Sequence, residues 1–467
     1  MKWKPSAWLS DALSALLVRA VGIVLVFVST TMLARFLGPA EYGTYSAALG
    51  LSMLLATLAP LGTDRILSQT LACTKKNDSS NQLGTEIGES AKAIAVAYRC
   101  TIMSIGVLLS LLMAFMFFGS FAGLSSEWMA TVLSAATILV PLTLSYLRQW
   151  TAMPIIGTSR AMLAEQTLLP AVVILVVLIS NFLGWKFSAL SMAAIYATGS
   201  GLIFAGSISS GRLRDLHRAA FKLALGVSRK EILVLRRRGL PLVAVSIGAV
   251  ASQSTLPMAI AAGCGFEDAA YFALAIPYAA LPAVPLGVLG LSLIPQCARF
   301  HASGEFAQAS HCVRSAATLT FWSAILIGTG IWLISPQLIQ ILGPQYQAVV
   351  HVMPILLIAT LIDCITGPTV PVMQTMGLQH FYARAFFGHW PLQLILVVIL
   401  GGFWGLTGAA AGYLVSRSLW NLLIVIQIYR SPGLLMLPYL NPLQAFVTDH
   451  SSLLSDLSVV AAKARTA

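Results

Sequence analysis

The sequence predicts an all-α polytopic membrane protein: twelve transmembrane helices in two pseudo-symmetric six-helix lobes. The first observation behind this is composition. Of 467 residues, 58% are apolar and only 9% are Asp, Glu, Lys or Arg. A soluble chain carries about a quarter charged residues to keep its surface wet, so an ordinary soluble enzyme is excluded. The second is where charge is missing. None occurs from Cys100 to Ser126, Phe187 to Gly211, Gly239 to Phe266, Ala269 to Ala298 or Ser315 to Ile362. Each run reaches the roughly 18 to 20 residues that cross a bilayer as a helix. A membrane barrel would show segments of about ten residues of alternating polarity instead. The third is an internal repeat.

The spans follow in order. Lys2 and Lys4 precede an apolar stretch from Ser14 to Leu37, longer than the roughly 7 to 15 residues of a signal core, so it reads as span one. Span two, 43–72, contains the break Pro60-Leu61-Gly62. Spans three and four, 92–118 and 127–148, end at Arg148; five and six, 161–183 and 187–210, are divided by Gly184-Trp185-Lys186. Spans seven and eight, 240–262 and 269–295, are divided by Glu267 and Asp268. The run from Ser315 to Ile362 is too long for one helix, and Leu342-Gly343-Pro344-Gln345 divides it into 314–342 and 350–375. Spans eleven and twelve are 384–403 and 406–429.

The domain organisation is therefore a lobe over 1–210, a basic linker over 211–239, a second lobe over 240–430 and a tail over 431–467. The linker holds nine basic residues against Asp215 and Glu231. Within it Leu213, Leu216, Ala220, Leu223 and Val227 recur at helical spacing, so part of it could lie flat on the anionic leaflet, but a topogenic linker between the two halves is the favoured reading. No aromatic or base-reading context accompanies the charge, so a nucleic-acid partner is not expected. One side of the membrane receives Lys2, Lys4, Lys75, Lys76, Arg160, Arg299, Arg314, Arg384, Arg430, Lys463, Arg465 and the linker. The other receives only Arg35 and Lys186 among four carboxylates. The basic side is cytoplasmic by the positive-inside rule, with both termini there. The six cysteines form no C-x-x-C pair, and Cys297, His301, His311 and Cys312 match no known ligand spacing, so neither a disulfide framework nor a metal is expected.

The repeat relates the two halves. Pro170–Gly184 and Pro391–Gly405, 221 positions apart, share seven of fifteen residues. Gly157 matches Gly377, and Gly38, Glu41, Gly43 and Tyr45 face Gly265, Asp268, Ala270 and Phe272. Six spans per repeat make both halves point the same way, the arrangement of a transporter with its axis along the membrane normal.

The stretch Leu33-Ala34-Arg35-Phe36-Leu37-Gly38-Pro39-Ala40-Glu41-Tyr42-Gly43-Thr44-Tyr45 resembles the end of the first helix in polysaccharide transporters of the multidrug/oligosaccharidyl-lipid/polysaccharide (MOP) exporter superfamily. Leu61-Gly62 with Arg65 resembles that family's second helix, Ile294-Pro295-Gln296 the end of its eighth, and Leu342-Gly343-Pro344-Gln345-Tyr346 the turn before its tenth. Leu256-Pro257-Met258 and the prolines Pro277, Pro282 and Pro285 lie outside these motifs. The resemblance implies a MATE-like fold in the bacterial inner membrane and a Wzx-type flippase for undecaprenyl-diphosphate-linked oligosaccharide. It implies no cofactor, and as partners the lipid-linked substrate, membrane lipids, a polysaccharide polymerase and chain-length machinery. The major-facilitator alternative expects a Gly- and Arg-rich loop after span two, where this chain has Lys75-Lys76-Asn77-Asp78-Ser79-Ser80.

A flippase must shelter a diphosphate and a sugar chain while the lipid tail stays in the bilayer. Guanidinium forks suit diphosphate oxygens, and charges within spans normally face an internal cavity. The substrate-binding candidates are Arg19 in span one, Arg417 in span twelve with Asn421 a turn further on, Arg148 beside Gln149 and Trp150, and Arg65 after the Pro60 break. Asp363 in span ten is read as either the ion-pair partner of Arg417 or a proton carrier, and Asp64 joins it as a coupling or ion-pair candidate. Ser246 and Gln253 share a face of span seven, and His389 reads as a helix-packing residue. A multidrug or organic-cation antiporter of the same fold is the alternative and would require an acidic cavity. A membrane enzyme would require a large outer loop or a paired acid and base, and the sequence has neither.

Overall fold

The computed structural model describes residues 5–74, 83–208, 211–224, 226–430, 434 and 436–441. Lys2, Lys4, Lys75, Lys76, Lys463 and Arg465, the residues after 441, and the side chains of Ile294, Pro295, Gln296 and His301 lie outside the described set. Helices run in the order α1 (Pro5–Leu37), α2 (Pro39–Leu58), α3 (Thr63–Thr74), α4 (Leu83–Phe121), α5 (Ser126–Ile156), α6 (Thr158–Leu163), α7 (Leu169–Leu183), α8 (Ala189–Ile208) and α9 (Gly211–Ala224). They continue as α10 (Arg229–Ser254), α11 (Leu256–Cys264), α12 (Phe266–Ala280), α13 (Val284–Ser303), α14 (Phe306–Leu342), α15 (Ala348–Thr366), α16 (Thr369–Thr375) and α17 (Gln379–Arg430). Among the described residues there is no strand.

Among the described residues ten helices are long and apolar enough to cross a membrane, or eleven when α2 and α3, bent by 57° at the Pro60 break, count as one. The sequence expects twelve, and α17 holds two of them. Its 52 residues would extend about 78 Å as one rod, far beyond a bilayer core of about 30 Å. The backbone leaves the helix at Trp404 and Gly405, and the arms fold together. Gly408 and Gly412 let them close, since a Cβ on either would lie 1.9 Å from the Leu400 carbonyl oxygen or 2.7 Å from that of Leu396. Hydroxyls inside the apolar helices are satisfied locally: Thr30, Thr44, Ser52, Thr143 and Thr318 each donate to the carbonyl four residues back.

The repeat has a backbone counterpart. Gly38 and Gly265 (φ 79° and 101°), Gly157 and Gly377 (92° and 75°), and Gly184 and Gly405 (68° and 58°) all take positive φ at helix joints. Only glycine adopts that region without strain, so the paired glycines mark equivalent corners of the two halves.

The chain forms two compact units, Met1–Ala261 and Ala262–Ala467. The segment expected as a linker, and the seventh span with it, pack inside the first. Leu216, Ala220, Val227 and Ile232 join a core with Leu67, Leu71, Ile94, Ala97, Cys100 and Leu147, and Leu213 packs with Ala152 and Ala161. Against the reading in which the stripe of 213–227 lies on the leaflet, four of its five residues are buried in the protein: α4 and the end of α3 cover Leu216, Ala220 and Val227, Leu213 packs on Ala152 and Ala161, and Leu223 is 42% exposed. Arg99 donates to the Val227 carbonyl at 2.9 Å and Lys92 pairs with Glu231 at 2.7 Å, which fixes the connection. Ser228 and Glu231 form a reciprocal cap that starts α10. Further along, α10 meets α2 and α3 so closely that Gly50 and Gly62 have no room for a Cβ, which would lie 2.0 Å from the Ser254 carbonyl oxygen and 2.1 Å from that of Gly239.

In the second unit α14, α15 and α17 pack side by side, with α12 against α15. The expected eighth span is broken into α12 and α13 by a tight turn over Leu281–Ala283, where Pro282 and Pro285 remove helix donors.

Candidate functional site

In the first unit, charge gathers where α3, α5 and the α6–α7 joint meet. Pro60 cannot continue α2, and Leu61 (φ 51°) with Gly62 (φ 75°) reverses the backbone before Thr63 restarts the helix, its hydroxyl donating to the Pro60 carbonyl at 2.6 Å. Asp64 and Arg65 therefore open α3. Asp64 is buried. Arg65 is half-buried, its Cζ 4.0 Å from the centre of the Trp150 ring and its Nε 3.9 Å from Asp64 Oδ2. That Nε has no hydrogen-bond partner. The cation lies on an aromatic face with donor capacity to spare.

Arg148, two residues before Trp150 on α5, is held differently. Its side chain is 2% exposed, and one terminal nitrogen donates to both Glu165 oxygens at 2.7 Å and to the Ala161 carbonyl at 2.9 Å. Glu165 sits in a widened turn over Ala164–Leu168. Pro170 supplies the reason, because it has no N–H for the Gln166 carbonyl. That carbonyl instead meets Gly22 of α1, where a Cβ would come within 2.8 Å of it. Glu165 also lies within electrostatic reach of Tyr146 and Tyr196. On the other side of Arg148, Tyr98 makes a 3.1 Å hydrogen bond to His217 Nε2 of α9. Burial holds the His217 imidazole below its usual pKa, and the Arg148 charge adds to that effect.

In the second unit α15 and the C-terminal arm of α17 build a closed set. Arg417 donates through a terminal nitrogen to Asp363 Oδ2, and Asn421 Nδ2 donates to Oδ1 at 2.6 Å. Asn421 also donates to the Arg417 carbonyl at 2.9 Å and accepts from the Thr366 hydroxyl at 2.7 Å. The one-turn spacing of Arg417 and Asn421 puts both donors on one carboxylate. Arg417 Nε is buried without a partner. Beside them, His389 Nε2 lies 2.8 Å from the Ser416 hydroxyl and its ring 4.8 Å from that of Trp420.

The structure thus sorts the residues singled out in the sequence. It brings Arg417, Asn421 and Asp363 together, and Arg65 with Asp64. Arg148, expected to collect a headgroup, is instead sealed against Glu165, because α5 packs on α6 and the widened turn that follows α6 carries the carboxylate to it. Arg19 is exposed on α1 with no hydrogen bond or ion pair among the described residues. Ser246 is buried and Gln253 exposed, so they do not form one polar face. Glu165 was not foreseen; its signal is a carboxylate just inside span five, seventeen residues after an arginine that ends span four. Among the described residues no group of three or more His, Cys, Asp or Glu is placed to hold a metal. What the arrangement offers chemically is one available cation on an aromatic platform (Arg65) and one cation held in reserve by a carboxylate (Arg417).

Residues 8–301 match the family model described as polysaccharide biosynthesis protein. No curated protein matches the chain at a significant level of sequence similarity. The fold is similar to an inward-facing multidrug-resistance MATE transporter of the MOP superfamily, with TM-score 0.68 and 15% identity over 90% of this chain and 98% of that one. It is also similar to the lipid II flippase MurJ in an inward closed conformation, with TM-score 0.59 and 12% identity over 97% and 96%. A third neighbour is a MOP superfamily transporter from Pyrococcus furiosus, with TM-score 0.51 and 13% identity over 91% and 94%. The family match spans well over half of the sequence and the fold neighbours span nearly all of it, so the chain belongs to the polysaccharide biosynthesis protein family and has the fold of the MOP superfamily transporters.

Proposed function

We propose that this protein is a flippase that moves undecaprenyl-diphosphate-linked oligosaccharide from the cytoplasmic to the periplasmic leaflet of the bacterial inner membrane by alternating access, with both termini cytoplasmic. One observation carries the reading: the three carboxylates set within the spans, Asp64, Glu165 and Asp363, each lie beside an arginine. An organic cation would find each of these carboxylates already answered. An anionic headgroup would find Arg65 with an unpartnered Nε, Arg19 with no ion pair among the described residues, and Arg417 releasable when a diphosphate oxygen takes the place of Asp363. The family match to polysaccharide biosynthesis and the fold shared with a lipid II flippase support the same direction. In this reading the sugar-bearing lipid is handed on to a polymerase and its chain-length machinery, and the protein itself makes and breaks no bond.

The test is reconstitution of the purified chain with a fluorescent undecaprenyl-diphosphate oligosaccharide and an impermeant quencher outside. The expected result is protein-dependent transbilayer movement that falls at least tenfold in Arg65→Ala and by a smaller factor in Trp150→Ala, which removes a cation–π contact of about 0.5 to 2 kcal/mol. Movement of organic cations with none of the lipid-linked sugar would reverse the reading in favour of the antiporter.

A further inference from the structure

The basic segment between α8 and α10 has turned its apolar side inward, which leaves its charge to be explained. Part of that charge works inside the protein: Arg236 reaches Cys100 Sγ at 3.3 Å and Ser104 Oγ at 3.4 Å, and Arg214 lies 3.6 Å from Asp215. The rest does not. Arg218 and Lys222 on α9, and Lys230 and Arg237 on α10, are exposed and make no hydrogen bond or ion pair among the described residues.

Large apolar side chains are interleaved with these cations. Phe221 is 84% exposed, and Leu233 and Val234 are 57% and 52% exposed. Arg214, Arg218 and Phe221 recur at helical spacing, so they line the face opposite the buried Leu213, Leu216 and Ala220. On α10, Lys230, Leu233, Val234 and Arg237 likewise share a face. At 1.5 Å per residue, Arg237 to Lys230 lie at most about 5 to 15 Å before residue 240, where span seven is expected to begin. That is the depth of the headgroup layer and its edge.

We infer that the outer faces of α9 and the first turns of α10 form a docking surface for anionic phospholipid headgroups of the cytoplasmic leaflet. The cations meet phosphates while Phe221, Leu233 and Val234 enter the acyl boundary. An acidic protein partner would favour a continuous apolar patch with a charged rim, whereas here single apolar side chains alternate with single cations. This surface does not rest on the transport reading; it rests on the basic side being the cytoplasmic one.

The test uses the full chain in nanodiscs of equal phosphatidylglycerol and phosphatidylethanolamine, with retained lipids counted by native mass spectrometry after partial delipidation. Preferential retention of phosphatidylglycerol is expected. Replacing Arg218, Lys222, Lys230 and Arg237 by Gln together should lower it by about fivefold for each charge removed, while Arg160→Gln with Arg384→Gln leaves it unchanged. If the fourfold variant fails to fold, the wild type still decides, because its preference should fall steeply between about 0.05 and about 0.5 M salt. Equal retention of both lipids, equal loss in the control variant, or a preference blind to salt overturns the inference. So does capture of polyglutamate or RNA without any lipid preference.

Discussion

The Arg148–Glu165 pair makes the sharpest prediction, because its burial separates a structural role from a binding one. The Arg148 side chain is 2% exposed and that of Glu165 11%. Replacing Glu165 by Gln removes the negative charge and one acceptor oxygen, leaving a guanidinium that cannot reach water with only neutral acceptors, the amide oxygen and the Ala161 carbonyl. Removing one partner of such a pair costs about 3 to 5 kcal/mol, whereas replacing both by apolar residues of similar size is about neutral. At roughly 2 to 4 °C per kcal/mol for a body of this size, Glu165→Gln should lower the apparent melting temperature by about 6 to 20 °C. Arg148→Met should lower it comparably, and the double variant Arg148→Met/Glu165→Leu should recover most of the loss. Fluorescence-detected size-exclusion chromatography of detergent-solubilised, heated samples reads this directly. The double variant should also keep its affinity for inorganic pyrophosphate, since the Arg148 side chain is only 2% exposed and held against Glu165, out of a ligand's reach. A single variant as stable as the wild type, or a double variant as damaged as the single, would refute the burial argument. A loss of pyrophosphate binding in the folded double variant would return Arg148 to the substrate site.

Three further outcomes follow from the same geometry. Asp363→Asn removes the charge that holds Arg417, so pyrophosphate should bind about tenfold more tightly by calorimetry while turnover of a lipid-linked substrate falls through slowed release; weaker binding would show that Asp363 only positions Arg417. The folded-state pKa of His217 lies below its unfolded value near 6.5, so its stabilising contribution is complete above that value and is lost as pH falls below it. Once the base-catalysed intrinsic rate is divided out, the protection of α9 amides against hydrogen exchange should therefore fall from about pH 7.5 to about pH 5.5, and His217→Gln should flatten that profile. Gly62→Ala would push a methyl group to 2.1 Å from the Gly239 carbonyl oxygen at a φ of 75°, so little monodisperse protein should be recovered, in contrast to Gly88→Ala, where nothing lies within 4 Å.

The fold was legible because the bilayer leaves few solutions: charge-free runs of helix length, and glycines recurring at fixed offsets. Gly38/Gly265, Gly157/Gly377 and Gly184/Gly405 were matched as letters and return as matched backbone corners. Unit boundaries were not legible. Charge density at 211–239 resembles a linker, yet whether Leu216 and Ala220 face lipid or α4 depends on a surface more than a hundred residues earlier. The same limit governs the site. Arg417 and Asn421 announce themselves because they are four residues apart on one helix, and Asp363 because it interrupts the longest apolar run. The Arg148–Glu165 contact depends on the angle at which two helices cross, and Glu165 reads locally as an ordinary charge at a span end. Arg65 was visible, but its stacking on Trp150 arises only after the Pro60 break turns α3 toward α5.

The ion pairs also bear on what drives transport. Asp64, Glu165 and Asp363 each have an arginine alongside, so these groups contribute little net charge to any movement of the protein. In the proposed reaction a diphosphate with about two negative charges leaves an inside-negative cytoplasm. At about 2.3 kcal/mol per charge per 100 mV, the potential favours export by about 4 to 5 kcal/mol, a ratio between leaflets on the order of a thousandfold. No proton is required by that balance. Proteoliposomes given an inside-negative potassium diffusion potential with valinomycin should move lipid-linked sugar outward from inward-opening chains, and collapsing the potential should abolish the asymmetry while leaving exchange intact. A pH gradient of equal magnitude should do little. If the gradient drives accumulation and the potential does not, the paired state of Asp363 is one half of a proton cycle, and Asp363→Asn should remove that dependence.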